Sequence, residues 1–230
     1  MIAANLETVL SRILRAARAS GRSPDSVRLV AVSKTVAAER VREAIEAGVT
    51  ILGENYIQEA REKFNTLYDQ GVAWHFIGHL QTNKAKYAVR MFDLIHSVDS
   101  FKLAAALDKE AAKRDIVQDI LLQVNLSGEA TKSGVAADEV APLLERIAGL
   151  DHIRVRGLMT MPPFFDNPER ARPFFEELAA LRDRIGGAPT ANADLQELSM
   201  GMTGDFEEAV NAGATLVRIG TAIFGQRHYR

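Results

Sequence analysis

Short apolar runs alternate with longer stretches of helical spacing along almost the whole chain. The runs fall at 28–33, 50–53, 74–78, 94–98, 120–124, 155–161, 197–200 and 216–220. Each is of strand length and several are rich in β-branched residues, so eight strands are predicted. Between them, apolar residues three and four apart predict helices over 37–47, 56–67, 83–91, 101–114, 137–148, 169–185 and 206–211. Gly48 and Gly213 stand where helices should end. Before the first strand, Ile2, Leu6, Val9, Leu10, Ile13 and Leu14 share helical spacing, which predicts one more amphipathic helix.

Strict alternation of strand and helix implies a parallel sheet. Eight repeats in 230 residues predict an α/β fold of one domain over 1–230, a (β/α)8 TIM barrel with an extra N-terminal helix. A doubly wound open sheet is the alternative from pattern alone. The most irregular stretch, 161–168, holds Pro162, Pro163 and Pro168 and is read as the loop after the sixth strand. The last barrel helix is expected to be short or missing, with the N-terminal helix covering the gap.

Composition narrows the function classes. A net charge of -2 gives no bulk attraction for nucleic acid or an anionic membrane. The chain has no cysteine, which removes disulfides, thiolate chemistry and cysteine-ligated metals. Glu7, Arg12, Arg15 and Arg18 break any signal-like apolar run near the start. No segment reaches the roughly 18 apolar residues of a membrane span. The expectation is a soluble, cytoplasmic protein without a metal site.

In a barrel, function gathers at the C-terminal ends of the strands. The first strand ends in Val30-Ala31-Val32-Ser33-Lys34, and alternation puts Val30, Val32 and Lys34 on one face. An amine there loses hydration, which favours the neutral form a Schiff base needs. It could equally be a solvated lysine opening the next loop. The seventh strand runs into Ser199-Met200-Gly201-Met202-Thr203-Gly204-Asp205, where hydroxyls, glycines and a following helix start suit a phosphate. Helix capping by Thr203 or Asp205 would use the same residues. In the eighth strand Arg218 is surrounded by apolar residues and needs an acceptor, either a structural carboxylate or a ligand atom. Gly220 and Thr221 add a backbone amide and a hydroxyl. A phosphate-bearing aldehyde would satisfy lysine, arginine and cradle together, and pyridoxal 5'-phosphate (PLP) is one whose ring nitrogen an arginine can face.

The chain resembles the pyridoxal phosphate homeostasis (proline synthetase co-transcribed homologue) family. The resemblance rests on Val30–Lys34, Gly53-Glu54-Asn55, His75-Phe76-Ile77-Gly78-His79-Leu80-Gln81, Gly157-Leu158-Met159-Thr160-Met161, Leu198–Met202 and Val217–Thr221, in order along the chain. It implies a barrel similar to the N-terminal domain of alanine racemase, with PLP held as an internal aldimine on Lys34. It further implies that Arg218 faces the pyridine nitrogen, that Ser199, Met200, Gly201, Gly220 and Thr221 surround the phosphate, and that Asn55 and Met159 lie near the ring. Thr203 stands where serine is common in the family and keeps a hydroxyl.

The implied function is a non-catalytic carrier or buffer in PLP homeostasis. Its partners would be PLP itself and PLP-dependent apoenzymes or B6-salvage enzymes, with a monomer as the default. The alternatives are a PLP-dependent amino-acid racemase or decarboxylase, and a Schiff-base aldolase or phosphate-sugar enzyme without PLP. His79, Gln81 and Lys84 are candidates for the mouth of the barrel; His75 and Trp74 are read as packing residues. A racemase needs a second base, and of Tyr56, Tyr68, Tyr87 and Tyr229 only Tyr56 falls just beyond a strand.

Overall fold

The eight apolar runs become β1 (Arg28–Val32), β2 (Ile51–Glu54), β3 (Ala73–Phe76), β4 (Leu94–Val98), β5 (Gln118–Val124), β6 (Ile153–Thr160), β7 (Ala193–Ser199) and β8 (Leu216–Ile219). Each pairs in parallel with the next and β8 returns to β1, so the sheet closes into a barrel rather than staying open. The structure is a computed structural model that describes residues 1–129, 133–186 and 192–226.

Helices alternate with the strands: α1 (Ile2–Ala19), α2 (Ala38–Glu46), α3 (Ile57–Leu67), α4 (Ala85–Met91), α5 (Phe101–Ala112), α6 (Val140–Ile147), α7 (Arg172–Ile185), α8 (Phe206–Asn211) and α9 (Thr221–Phe224). Their ends follow local chemistry. Ser100 caps α5 by accepting the Leu103 N–H at 3.4 Å. Gly48 and Gly213 follow α2 and α8 with φ of +110° and +105°, the left-handed turn that lets the chain leave a helix. Several predicted boundaries move by a few residues, and two of the changes matter here. β7 begins at Ala193 rather than at 197, because Asp194 and Gln196 hide the strand from an apolar reading. Tyr56 precedes α3 with an extended backbone instead of lying on it.

Alternation along the strands divides two cores. Val30, Ile51, Leu94, Leu121, Met159 and Leu216 form the small inner cluster. A far larger cluster lies between the barrel and the helices. The register sets Val30 opposite Arg218 and Val32 opposite Gly53, so the ends of β1, β2 and β8 stand side by side.

α9 is only four residues long, as expected for the last barrel helix. α1 covers the gap it leaves, burying Ile2, Leu6, Val9 and Ile13. Asn5 Nδ2 donates to the Ile223 carbonyl at 3.0 Å, and Arg12 holds Glu207 by two bonds of 3.0 and 2.7 Å. α1 thus braces the two shortest helices, which follow the β7 and β8 loops. Leu6→Ala should lower stability by about 2–5 kcal/mol, the usual cost of truncating a buried leucine. Urea unfolding measures this, and a loss under about 1 kcal/mol would mean that α1 is not part of the core.

Candidate functional site

A cavity of about 260 Å³ opens at the C-terminal ends of the strands. Lys34 reaches it from the loop after β1, Asn55 from the end of β2, and Arg218, Gly220 and Thr221 from β8 and the start of α9. Thr203, Gly204 and Asp205 of the β7 loop and Met161, Phe164 and Phe165 of the β6 loop complete the wall. Lys34, Asn55, Arg218, Gly220 and Thr221, which sequence reasoning nominated separately, therefore share one cavity.

Four other nominees do not reach that wall. Met159 is 0% exposed within the inner apolar cluster, because its place on β6 points it into the barrel. Met200 is also buried, packed in the outer core. The Ser199 hydroxyl is spent inside the barrel on Arg218 and His96. Gly201 adopts φ of +87°, and a Cβ there would sit 2.5 Å from that of Ala209 and 2.9 Å from Phe206 Cα. Its missing side chain makes room for α8. Gly204, by contrast, faces open space. Asp205 does not cap α8 either; its Oδ1 accepts the Met202 N–H at 2.6 Å and ties the loop to itself.

Arg218 is 3% exposed, and the acceptors it found are neutral. One Nη donates to Ser199 Oγ at 2.6 Å and the other to the Thr160 carbonyl at 2.9 Å. The expected alternative, a structural carboxylate bonded to it, does not occur among the described residues. Burial pushes its pKa down to about 10, partly offset by the charge of Asp205. Arg218 therefore still carries a full charge at neutral pH, and it lines the cavity.

Behind Arg218 runs a buried chain that sequence reasoning missed. Ser199 Oγ meets His96 Nδ1 at 2.8 Å, and His96 Nε2 meets His75 Nδ1 at 3.0 Å. Arg218 only donates, so Ser199 accepts from it. From Ser199 the chain can run either way, with His96 Nδ1 accepting the serine hydrogen and Nε2 donating to His75, or with both bonds reversed, because a hydroxyl accepts two bonds and donates one. Both rings are neutral: burial lowers the pKa of His75 to about 3 and that of His96 well below the usual imidazole value. Alternation could have found His96, which stands two residues after the inward-facing Leu94.

One polar atom at the cavity stands alone. Asn55 Oδ1 is buried without a hydrogen-bond partner among the described residues, which ordinarily costs about 1–3 kcal/mol and suits an atom awaiting a ligand. A second cavity of about 350 Å³ adjoins the first through Asn55, Ile77, Met161 and Met202, and it brings in His79 and Gln123. Gln81 lines neither cavity. Lys84 lies over the Tyr87 ring at 6.0 Å, while Trp74 packs edge-on against Phe64. Tyr56 is 59% exposed and Tyr229 lies outside the described residues.

The histidines predict a pH dependence. Their folded pKa values lie below the unfolded value near 6.5, so the unfolded chain takes up more protons as pH falls. Stability should be full above about pH 6.5 and decline toward pH 3, with each imidazole contributing up to about 1.4 kcal/mol per pH unit. Urea midpoints across that range should fall less steeply for His75→Gln. An identical slope in the variant would show that His75 is not held neutral.

The chain is similar to proteins already known. The family model described as "Alanine racemase, N-terminal domain" matches residues 5–228. A pyridoxal phosphate homeostasis protein from Aquifex aeolicus is 46% identical, with 97% of each chain covered. PipY from Synechococcus elongatus, a structure solved with PLP bound, is 36% identical with a TM-score of 0.86, covering 98% of this chain and 100% of that one. Alanine racemase from Corynebacterium glutamicum, at 18% identity and a TM-score of 0.65, shares the fold over 96% of this chain and 61% of its own.

Proposed function

We propose, for a chain that belongs to the pyridoxal phosphate homeostasis protein family, that it binds PLP in the Lys34 cavity and serves as a carrier of it rather than as an enzyme. The observation that carries this reading is a buried, charged Arg218 and a strand-end Lys34 on the walls of one small cavity. PLP supplies an aldehyde that condenses with a primary amine, a phosphate, and a ring nitrogen. The donor set suits each part. Lys34 offers the amine. Arg218, which can only donate, suits an unprotonated ring nitrogen. Thr203, Gly204, Gly220 and Thr221 offer hydroxyls and open backbone for the phosphate. Asn55 Oδ1, an acceptor without a partner among the described residues, belongs to a residue of the same cavity wall.

The same features favour holding PLP over turning it over. A neutral ring nitrogen withdraws electrons weakly, which disfavours the carbanion chemistry of racemases and decarboxylases. Two-base racemisation also needs an acid on the face opposite Lys34. Tyr56 is exposed and is not among the cavity residues. We further propose that the barrel acts as one cytoplasmic, monomeric PLP-binding unit that exchanges PLP with apoenzymes or salvage enzymes. Among the described residues no helix is long and apolar enough to cross a membrane.

Borohydride reduction of the PLP-loaded protein followed by peptide mapping should place the adduct on Lys34, and Lys34→Ala should abolish it with the fold intact. An adduct chiefly on Lys84, or on Lys132 outside the described residues, would sink the assignment. Pyridoxal without phosphate should bind at least about a hundredfold more weakly, since hydrogen bonds to a charged group contribute roughly 1.5–3 kcal/mol each. Equal affinities by titration would mean that the phosphate lies elsewhere. With PLP and a panel of L- and D-amino acids in deuterated water, α-proton exchange should stay well under about 1 s⁻¹, the low end of enzymatic turnover. Exchange at that rate, lost in Lys34→Ala, would make the protein a racemase.

A further inference from the structure

Lys34 sits at the second position of a tight turn that starts at Ser33 and is closed by the Val36 N–H donating to the Ser33 carbonyl at 3.0 Å. The third position, Thr35, has φ of +63°. Turns with a left-handed third residue normally place glycine there. Threonine resists that conformation because its branched Cβ crowds the backbone. Such a turn persists only where its surroundings hold it.

The surroundings here are three charged side chains. Lys63 of α3 donates to the Ser33 carbonyl, to Glu54 Oε1 at 2.8 Å and to Glu59 Oε1 at 3.1 Å, which uses all three of its N–H groups. Glu54 Oε1 also accepts the Ser33 hydroxyl at 2.6 Å. Glu59 Oε1 accepts the Thr35 backbone N–H. The carbonyl and hydroxyl before Lys34 and the N–H after it are thus tied to one cluster.

A helical Glu59/Lys63 pair is ordinarily a solvated surface feature. Here the Lys63 side chain is 6% exposed and that of Glu54 is 0%. Ion pairs this deep are poor stabilisers compared with apolar packing, so burial alone gives no reason for them. What this cluster visibly secures is the turn.

We propose that Lys63, with Glu54 and Glu59, is a positioning cluster that forces the strained Ser33–Val36 turn and so presents the Lys34 amine to the cavity. The proposal rests on the reading of Lys34 as the attachment residue. A cluster that only stabilised the fold would be indifferent to the residue at 35. A cluster that forces the turn becomes dispensable once glycine adopts it unaided.

The test compares the unaltered protein with Lys63→Met, Glu59→Gln, Lys63→Arg and the double variant Lys63→Met/Thr35→Gly. Stopped-flow absorbance gives the rate of PLP attachment. Amide exchange at Thr35 and Val36, followed by NMR without PLP, reports the turn itself. Lys63→Met should slow attachment about tenfold, equivalent to about 1.4 kcal/mol, and should speed exchange at those two amides. Glu59→Gln should act in the same direction more weakly, and Lys63→Arg should recover part of the rate. Thr35→Gly should restore attachment in the Lys63→Met background. If Lys63→Met fails to fold, Glu59→Gln with and without Thr35→Gly makes the same comparison. Unchanged rate and exchange in the single variants, or a double variant no faster than its parent, overturns the proposal. Failure of the Lys34 reading shows separately, as an adduct on another lysine of the unaltered protein.

Discussion

The constraint on which the rest of the site depends is a guanidinium held inside a barrel. Arg218 sits on the last strand, fully charged and almost out of contact with water. A buried charge is tolerable only when its N–H groups are satisfied. The barrel meets that need in part, giving two of the five N–H groups one hydroxyl and one carbonyl rather than a carboxylate. A carboxylate there would cancel the charge. Neutral acceptors leave it available to whatever enters the cavity. The two neutral imidazoles extend the same logic, since they continue the hydrogen-bonded chain from Ser199 without adding a second positive charge.

The cavity is built from loops whose supports lie elsewhere. The β7 loop is drawn down by Gly201 against Ala209 and Phe206, and α8 is in turn held by α1 through Arg12. The Arg12 guanidinium lies 4.7 Å from the centre of the Phe206 ring and also grips Glu207, so one residue steadies both flanks of that helix start. Beyond β8, the β1 loop is fixed from α3. The wall facing α7 is different in kind. It carries Phe164, 85% exposed, and it is the most apolar side of the cavity mouth.

Much of this was legible in the sequence. Strand and helix periods gave eight repeats, and the glycines after α2 and α8 marked real left-handed ends. Lys34, Arg218, Gly220 and Thr221 were nominated as polar or flexible residues at strand ends, and Asn55 by the family resemblance alone; all five line the cavity. The Ser199 hydroxyl is engaged inside the barrel and Gly201 packs against α8, contacts that a motif does not reveal because it shows residue types but not which way each one faces. Lys63 was invisible for a related reason. Four residues after Glu59 on an amphipathic helix, it reads as a surface pair, and only the tertiary fold turns that face inward. His96 was overlooked although its parity with Leu94 already pointed it into the barrel.

The central claim is that one cavity receives PLP with its aldehyde at Lys34, its ring nitrogen at Arg218 and its phosphate at the β7 and β8 loops. A crystal structure of the protein soaked with PLP tests all three together. Electron density should be continuous with Lys34 Nζ, a guanidinium N–H of Arg218 should be directed at the ring nitrogen, and the phosphate should lie against Thr203, Gly204 and Thr221. Density that begins at another lysine, or a phosphate lodged in the neighbouring cavity beside His79 and Gln123, would contradict it.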